Sequence, residues 1–273
     1  WDIYQNKNVL IKNNQSKPLL WISTTNGLHT LTIGNDAKKI TFQRIKIRDY
    51  NDRIREINTI FQDKQQNYWL GSFKNGIHLL SKNFTYLGSL SSQNKYDLIV
   101  KAKSLFDIKV IDNQYWLATD NGLFIVDDRY ELVTHLTASN KKNSLLSNNI
   151  RSIAQFNENQ VWLATHKGLN TINLLNDEIE SYQNNAQLTS LSENWLMDIF
   201  QDANDSMWLA SYGGGLNKHS PLTSLFHHGL ITKESNNFRI ESFAETSDGT
   251  IWLSSEKQGL YSLKMDGRLK KTN

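Results

Sequence analysis

Val161-Trp162-Leu163-Ala164-Thr165-His166-Lys167-Gly168-Leu169 is a phrase that returns five more times in the chain. The other copies read PLLWISTTNGL (18–28), NYWLGSFKNGI (67–77), QYWLATDNGL (114–123), SMWLASYGGGL (206–216) and TIWLSSEKQGL (250–260). Their tryptophans, Trp21, Trp69, Trp116, Trp162, Trp208 and Trp252, are spaced by 48, 47, 46, 46 and 44 residues. A period in the forties marks a repeat architecture.

The residues before, at and after each tryptophan are nearly all apolar, as in Tyr115-Trp116-Leu117. A strand apolar at successive positions is buried on both faces. Two residues after the tryptophan stands a small residue every time: Ser23, Gly71, Ala118, Ala164, Ala210 and Ser254. It shares a face with the indole, so its size leaves room for a bulky neighbour from the next sheet. A hydroxyl follows (Thr24, Ser72, Thr119, Thr165, Ser211, Ser255), then a polar turn and a glycine at 27, 76, 122, 168, 215 or 259. That glycine suits a positive-φ turn position.

Working outward, an apolar strand precedes each phrase. Ile57 to Phe61 lead to Trp69, Ile150 and Ile153 to Trp162, Leu196 to Phe200 to Trp208, and Ile240 and Phe243 to Trp252. Repeat three matches through Leu105 and Ile108 after a one-residue deletion, and the first repeat runs from Val9 to Ile33. A more polar fourth strand closes each unit, as in Ile40–Ile45 and Phe84-Thr85-Tyr86, with turns such as Asp248-Gly249 and Asp266-Gly267 between strands. Four antiparallel strands per unit define an all-β fold, a β-propeller of four-stranded antiparallel blades with almost no helix. Helical repeats of similar period would need apolar residues at i, i+3, i+4 and i+7, which are missing here. Neither a repeated Trp-Asp nor a repeated double glycine marks the other common propeller repeats.

The expectation is a single propeller domain over 1–273 with six blades centred on the six tryptophans, the alternative being part of a seven-bladed or double propeller. A ring hides its blade edges by pairing first and last blades. The orphan piece Trp1-Asp2-Ile3-Tyr4 is placed to supply the outer strand of the Trp252 blade, in competition with Arg268-Leu269-Lys270.

Charge is nearly balanced at +3, which makes no case for nucleic acid, and the chain has no cysteine for disulfides or thiolate chemistry. No apolar run reaches membrane-spanning length. A chain beginning at Trp1 reads as an excised mature domain, with any signal peptide or anchor lying in the parent protein.

The fuller units NSLLSNNIRSIAQFNENQVWLATHKGL (143–169) and TSLSENWLMDIFQDANDSMWLASYGGGL (189–216) resemble the two-component regulator propeller repeat. The likeness lies in Ser-Leu before Ser-x-Asn, Ile/Leu-x-x-Ile, an Asp before the turn, and Trp-Leu-Ala-Thr/Ser with the delayed glycine. It covers nearly the whole chain, although relatives prefer Ile-Gly where this chain has mostly Leu-Ala. The resemblance implies the periplasmic sensing part of an inner-membrane hybrid histidine kinase or a related signalling protein. It implies a carbohydrate or other small-molecule ligand, and dimerisation through the parent receptor. A streptogramin-lyase-like lyase or hydrolase and a structural or dimerising scaffold are the competing readings.

The candidate chemistry of other kinds is weaker. Gly213-Gly214-Gly215 could cradle a phosphate, but no helix follows, so a structural turn is expected. Asp202 to Ser206 echoes the start of a calcium loop without its glycine or distal glutamate. His219, His227 and His228 lack a carboxylate at ligand spacing and read as a solvated outer edge. No nucleophile–base spacing is visible, so no catalytic residue, metal or cofactor is assigned.

The ligand site is expected where loops entering the innermost strands meet the turns between second and third strands, on one rim. The entering positions hold Glu56, Asn149, Trp195 and Arg239, with Arg55 and Arg151 beside them. The turns supply Asn26, Lys74, Asn121, His166, Tyr212 and Lys257. These residues are mostly polar and differ between copies whose buried positions repeat, so core packing does not explain them. From this set Arg55, Glu56, Asn149, Arg151, His166, Trp195, Tyr212 and Arg239 are the candidate ligand-binding residues. An aromatic face flanked by arginine and asparagine suits a sugar or an anionic oligosaccharide, and a merely solvated rim is the bland alternative.

Overall fold

The computed structural model describes residues 3–5, 19–24, 27–33, 40–45, 47, 54, 56–89, 102–185, 187, 189–220, 226–228, 238–255, 258–264 and 269–272. Among them are twenty-four strands and no helix. The strands group by fours around the tryptophans. The first sheet is β1 (Ile3–Gln5), β2 (Leu19–Thr24), β3 (Gly27–Ile33) and β4 (Ile40–Arg44). The second is β5 (Ile57–Gln62), β6 (Tyr68–Ser72), β7 (Ile77–Leu80) and β8 (Tyr86–Ser89). The third is β9 (Leu105–Ile111), β10 (Gln114–Thr119), β11 (Gly122–Val126) and β12 (Leu132–Leu136). The fourth is β13 (Ile150–Asn157), β14 (Gln160–Thr165), β15 (Gly168–Asn173) and β16 (Ile179–Tyr182).

The fifth set is β17 (Leu196–Gln201), β18 (Met207–Gly213), β19 (Gly215–His219) and β20 (Phe226–His228). The sixth is β21 (Phe238–Glu245), β22 (Ile251–Ser255), β23 (Gly259–Leu263) and β24 (Leu269–Lys271). These two share one eight-stranded sheet, because β18 runs past its own hairpin to pair Tyr212 with Arg239 and Gly213 with Phe238. Each set is a four-stranded antiparallel meander, the blade that the repeat demands.

The edges depart from the expectation. Ile3, Tyr4 and Gln5 pair with Ile22, Trp21 and Leu20, so β1 is the inner strand of the first blade and no latch on the last. The outer strand of the last blade is β24, Leu269 opposite Leu263. The Val9 start of the first repeat falls outside the described residues.

The chain forms two compact units: Trp1–Ile108 with Val126–Val133, and Lys109–Ile125 with Thr134–Asn273. In the first, Leu28 packs with Ile57, Ile60, Tyr68, Leu70 and Leu80. Gly71 is small for the expected reason, since a Cβ there would sit 2.8 Å from the Leu105 Cβ.

In the second unit the same packing runs three times. Trp116 and Ala118 meet Ile150, Ile153, Val161 and Leu163 of the next blade. Trp162 and Ala164 meet Leu196, Ile199, Met207 and Leu209, and Trp208 and Ala210 meet Ile240, Ile251 and Leu253. Tryptophan and alanine thus face one neighbour while the alternate residues face the other, so each strand is buried on both sides.

Local bonds explain the rest of the phrase. The recurrent hydroxyl donates to the carbonyl of the turn glycine: Ser72 to Gly76 (2.9 Å), Thr119 to Gly122 (2.7 Å), Thr165 to Gly168 (2.8 Å) and Ser211 to Gly215 (2.8 Å). All six turn glycines have positive φ, from 74° at Gly215 to 126° at Gly168. The aspartate before the tryptophan is equally structural. Asp202 accepts the indole N–H of Trp208 (2.7 Å) and the backbone N–H groups of Asn204 and Ser206 (both 2.9 Å), a set of partners that leaves little of the calcium reading. Asp63 does the same for Trp69 (2.8 Å) and Asn67 (2.8 Å).

Gly168→Ala places a Cβ against the Tyr182 carbonyl at φ 126°. We expect it to cost about 1–3 kcal/mol in denaturant unfolding; an unchanged midpoint would mean that the turn does not need its glycine.

Candidate functional site

The rim is built by backbone bonds that tie each entering residue to the turn of its own blade. Phe73 N–H donates to the Glu56 carbonyl (2.8 Å), His166 to Asn149 (3.2 Å) and Tyr212 to Trp195 (2.8 Å). The entering residue and the residue after the hydroxyl are therefore neighbours in every blade where the pair is seen.

In the second unit this brings six of the eight candidates together. Trp195 lies 4.6 Å from the His166 ring and stacks at 4.4 Å on Tyr212, interplanar angle 25°. The Arg239 guanidinium caps the far face of this row, 3.9 Å from the Tyr212 centroid. That stack follows from backbone pairing, since Tyr212 and Arg239 are opposite each other where β18 crosses to β21. Trp195 remains 40% exposed, an aromatic face offered to solvent.

Arg151 enters the group by a β-bulge. Ile150 pairs with Thr165 and Ser152 with Ala164, so Arg151 is the extra residue of β13. The same bulge falls at Asn58, Met197 and Glu241, in each case the residue after the inner-strand isoleucine or leucine. A bulge re-aims the side chain it carries. Burial pulls the Arg151 guanidinium below its ordinary value, and the carboxylates of Glu241 and Asp198 oppose that shift.

Asp198 is the hub of the inner strands. One oxygen accepts the Ser152 hydroxyl (2.8 Å) and the other the backbone N–H of Phe243 (3.3 Å), so β17 is tied to both β13 and β21. Asp198 and Glu241 are the residues that sequence reasoning missed. The signal was there, since Glu241 in Arg-Ile-Glu-Ser stands in register with Arg151 in Asn-Ile-Arg-Ser.

Asn149 Oδ1 and His166 Nε2 are buried without a hydrogen-bond partner. Burial, aided by the positive field of Arg151, lowers the His166 pKa from 6.5 to about 4, so its ring is neutral at physiological pH. An aromatic face, two guanidiniums and two unsatisfied polar atoms can bind a ring bearing hydroxyl or carboxylate groups.

The other two candidates are Glu56 and Arg55. Glu56 belongs to the first unit, exposed, with φ 50°, and the aromatic beside it is Phe73, carrying Lys74 Nζ at 4.9 Å. Arg55, Asn26 and Lys257 lie outside the described residues. His219 is no solvated edge residue: its ring packs on Trp162 (5.1 Å) and Phe226 (5.3 Å). The side chains of His227 and His228 lie outside the description, and no group of three or more metal-ligating side chains occurs among the described residues. The triple glycine is a turn whose middle residue lets the loop before β17 approach, since a Cβ on Gly214 would sit 2.6 Å from the Glu193 Cβ.

The fold is an all-β one of propeller blades. It is similar over 99% of the chain to the extracellular domain of BT3049 from B. thetaiotaomicron, described as a hybrid two component system, with TM-score 0.72 and 17% identity. Two structures of the extracellular domain of BT4673 from the same organism match over 93% of the chain, with TM-scores 0.69 and 0.68 and identities of 18% and 19%. That protein is described as a one component and as a hybrid two component system. The chain spans 34–35% of the length of these structures. No family model matches the chain, and neither does any of the curated proteins compared with it.

A histidine with a depressed folded pKa binds fewer protons than in the unfolded chain between pH 4 and 6.5, so its contribution to stability is lost as pH falls through that window. The His166 ring protons should titrate near pH 4 in NMR spectra, and Arg151→Gln should move the midpoint upward. A midpoint near 6.5 in the unaltered chain would disprove the burial.

Proposed function

We propose that the chain is an extracytoplasmic ligand-sensing propeller domain of a two-component or related signalling protein, and that it binds a carbohydrate at the rim of blades four to six. The single observation that carries the reading is the row His166–Trp195–Tyr212–Arg239, with Trp195 open to solvent. A stacked aromatic face matches the apolar face of a pyranose ring. Arg239 and Arg151 favour carboxylates, which points to acidic sugars over neutral ones. The sensor role and the placement outside the cytoplasm are supported by the extracellular sensor domains that share the fold.

Binding without turnover is part of the reading. Among the described candidates no hydroxyl or amine nucleophile is seen beside a base, and the Asp198 carboxylate, which acts on Arg151, is engaged by Ser152 and Phe243. A parent receptor would carry the membrane anchor, the output domain and any dimer contact.

Titration with uronic-acid oligosaccharides and their neutral counterparts, followed by tryptophan fluorescence, tests this. Acidic oligosaccharides should bind more tightly, and Trp195→Ala and Arg239→Ala should each weaken binding roughly tenfold or more. If both variants bind as the unaltered chain does, the rim is the wrong surface; release of a shortened sugar would replace the sensor with an enzyme.

A further inference from the structure

The blade-three tryptophan differs from those of blades two, four and five. Trp69 and Trp208 give their indole N–H groups to Asp63 and Asp202, and Trp162 gives its own to Gln160 Oε1 at 3.1 Å. Trp116 is 5% exposed, and its Nε1 is buried with no partner. Gln114 stands where Gln160 does, two residues before the tryptophan, yet it leaves the indole unsatisfied. Both Trp116 and Gln114 line a cavity of about 370 Å³ in the second unit. A buried N–H without a partner has lost its water and gained nothing in return, so an acceptor placed there stabilises it.

Two of the residues that line the cavity, Ile172 and Ile179, differ in kind from their counterparts in the next blade. Beside Trp162 the matching space is filled by rings, with Phe156 at 5.2 Å, His219 at 5.1 Å and Phe226 at 6.0 Å. Counted from the turn glycine, Ile172 takes the place of His219, and its partner Ile179 that of Phe226. Two aliphatic side chains in place of two rings line a volume within the range of small-molecule sites.

We propose that this cavity is a second ligand site, separate from the rim, and that it takes a small amine with a ring body and a hydrogen-bond acceptor. The ring would occupy the aliphatic interior against Ile172 and Ile179, with the acceptor on the Trp116 N–H. The only charged residues lining the cavity are Asp112 and Asp177, both exposed in turns, so a cation is favoured at its mouth. Water filling would satisfy the indole equally well but would give no preference for an ammonium over its neutral analogue.

The test follows the Trp116 indole resonance, identified by its loss in Trp116→Phe, in ¹⁵N–¹H spectra of the whole chain. The probes are tyramine and 4-ethylphenol, the same ring without the ammonium. Tyramine should shift the resonance saturably, and 4-ethylphenol should bind about tenfold more weakly, as should tyramine to the Asp112→Asn, Asp177→Asn double variant. Ile179→Phe, which restores the ring found at Phe226, should abolish the shift; if that variant fails to fold, Leu174→Phe fills the same space from another lining residue. No saturable shift with tyramine overturns the site. A shift unchanged by the filling variants overturns its location, and equal binding of the two probes overturns the amine.

Discussion

The structure depends on one steric constraint: a tryptophan and a small residue on the same face of a strand, two positions apart. Ala118, Ala164 and Ala210 are completely buried, and each shares a cluster with the inner-strand isoleucine or leucine of the following blade. A larger side chain would force the sheets apart, because interiors packed to crystal density have no slack for added methylenes. The blades of the second unit are therefore spaced by the small residue and held in register by the indole. Everything that varies must do so at the ends of the strands, where this spacing does not reach.

Those ends are held by a second repeated device. The hydroxyl after the small residue spends its proton on the glycine carbonyl across the turn, and positive φ at the glycine makes the closure possible. The sequence makes the hydroxyl and glycine conspicuous without saying that they bond to each other. With that turn fixed, the next residue is locked against the residue entering the inner strand, as in His166 with Asn149 and Tyr212 with Trp195. The rim residues can differ from blade to blade because their backbone positions are set by bonds that do not involve their side chains.

This division explains how much was legible. The periodic core was readable because burial on both faces forces the same residue types at the same offsets. Asn149, His166, Trp195, Tyr212 and Arg239 could be grouped because they interrupt the repeat at fixed places. Glu241 was legible only through its register with Arg151, and Asp198 not at all, since its bonds run to Ser152 and Phe243 on two other strands and leave no mark on its own strand's pattern. The first strand failed for a related reason. A three-residue piece such as Ile3–Gln5 carries too little alternation to choose between two sheet edges, and ring closure favoured the wrong one.

The repeated tryptophan shows where variation stops being neutral. In blades two, four and five the indole N–H finds an acceptor, but the blades supply it differently, through Asp63, Gln160 or Asp202. An aspartate six residues before the indole and a glutamine two before it are two solutions to one requirement, so the repeat does not dictate the acceptor. In the third blade the same backbone position again offers a glutamine, but the rings that crowd Trp162 are gone from around Trp116. The cavity and the unsatisfied indole N–H therefore occupy the place that rings fill beside Trp162, so the same interblade position is packed core in one copy and open space in another.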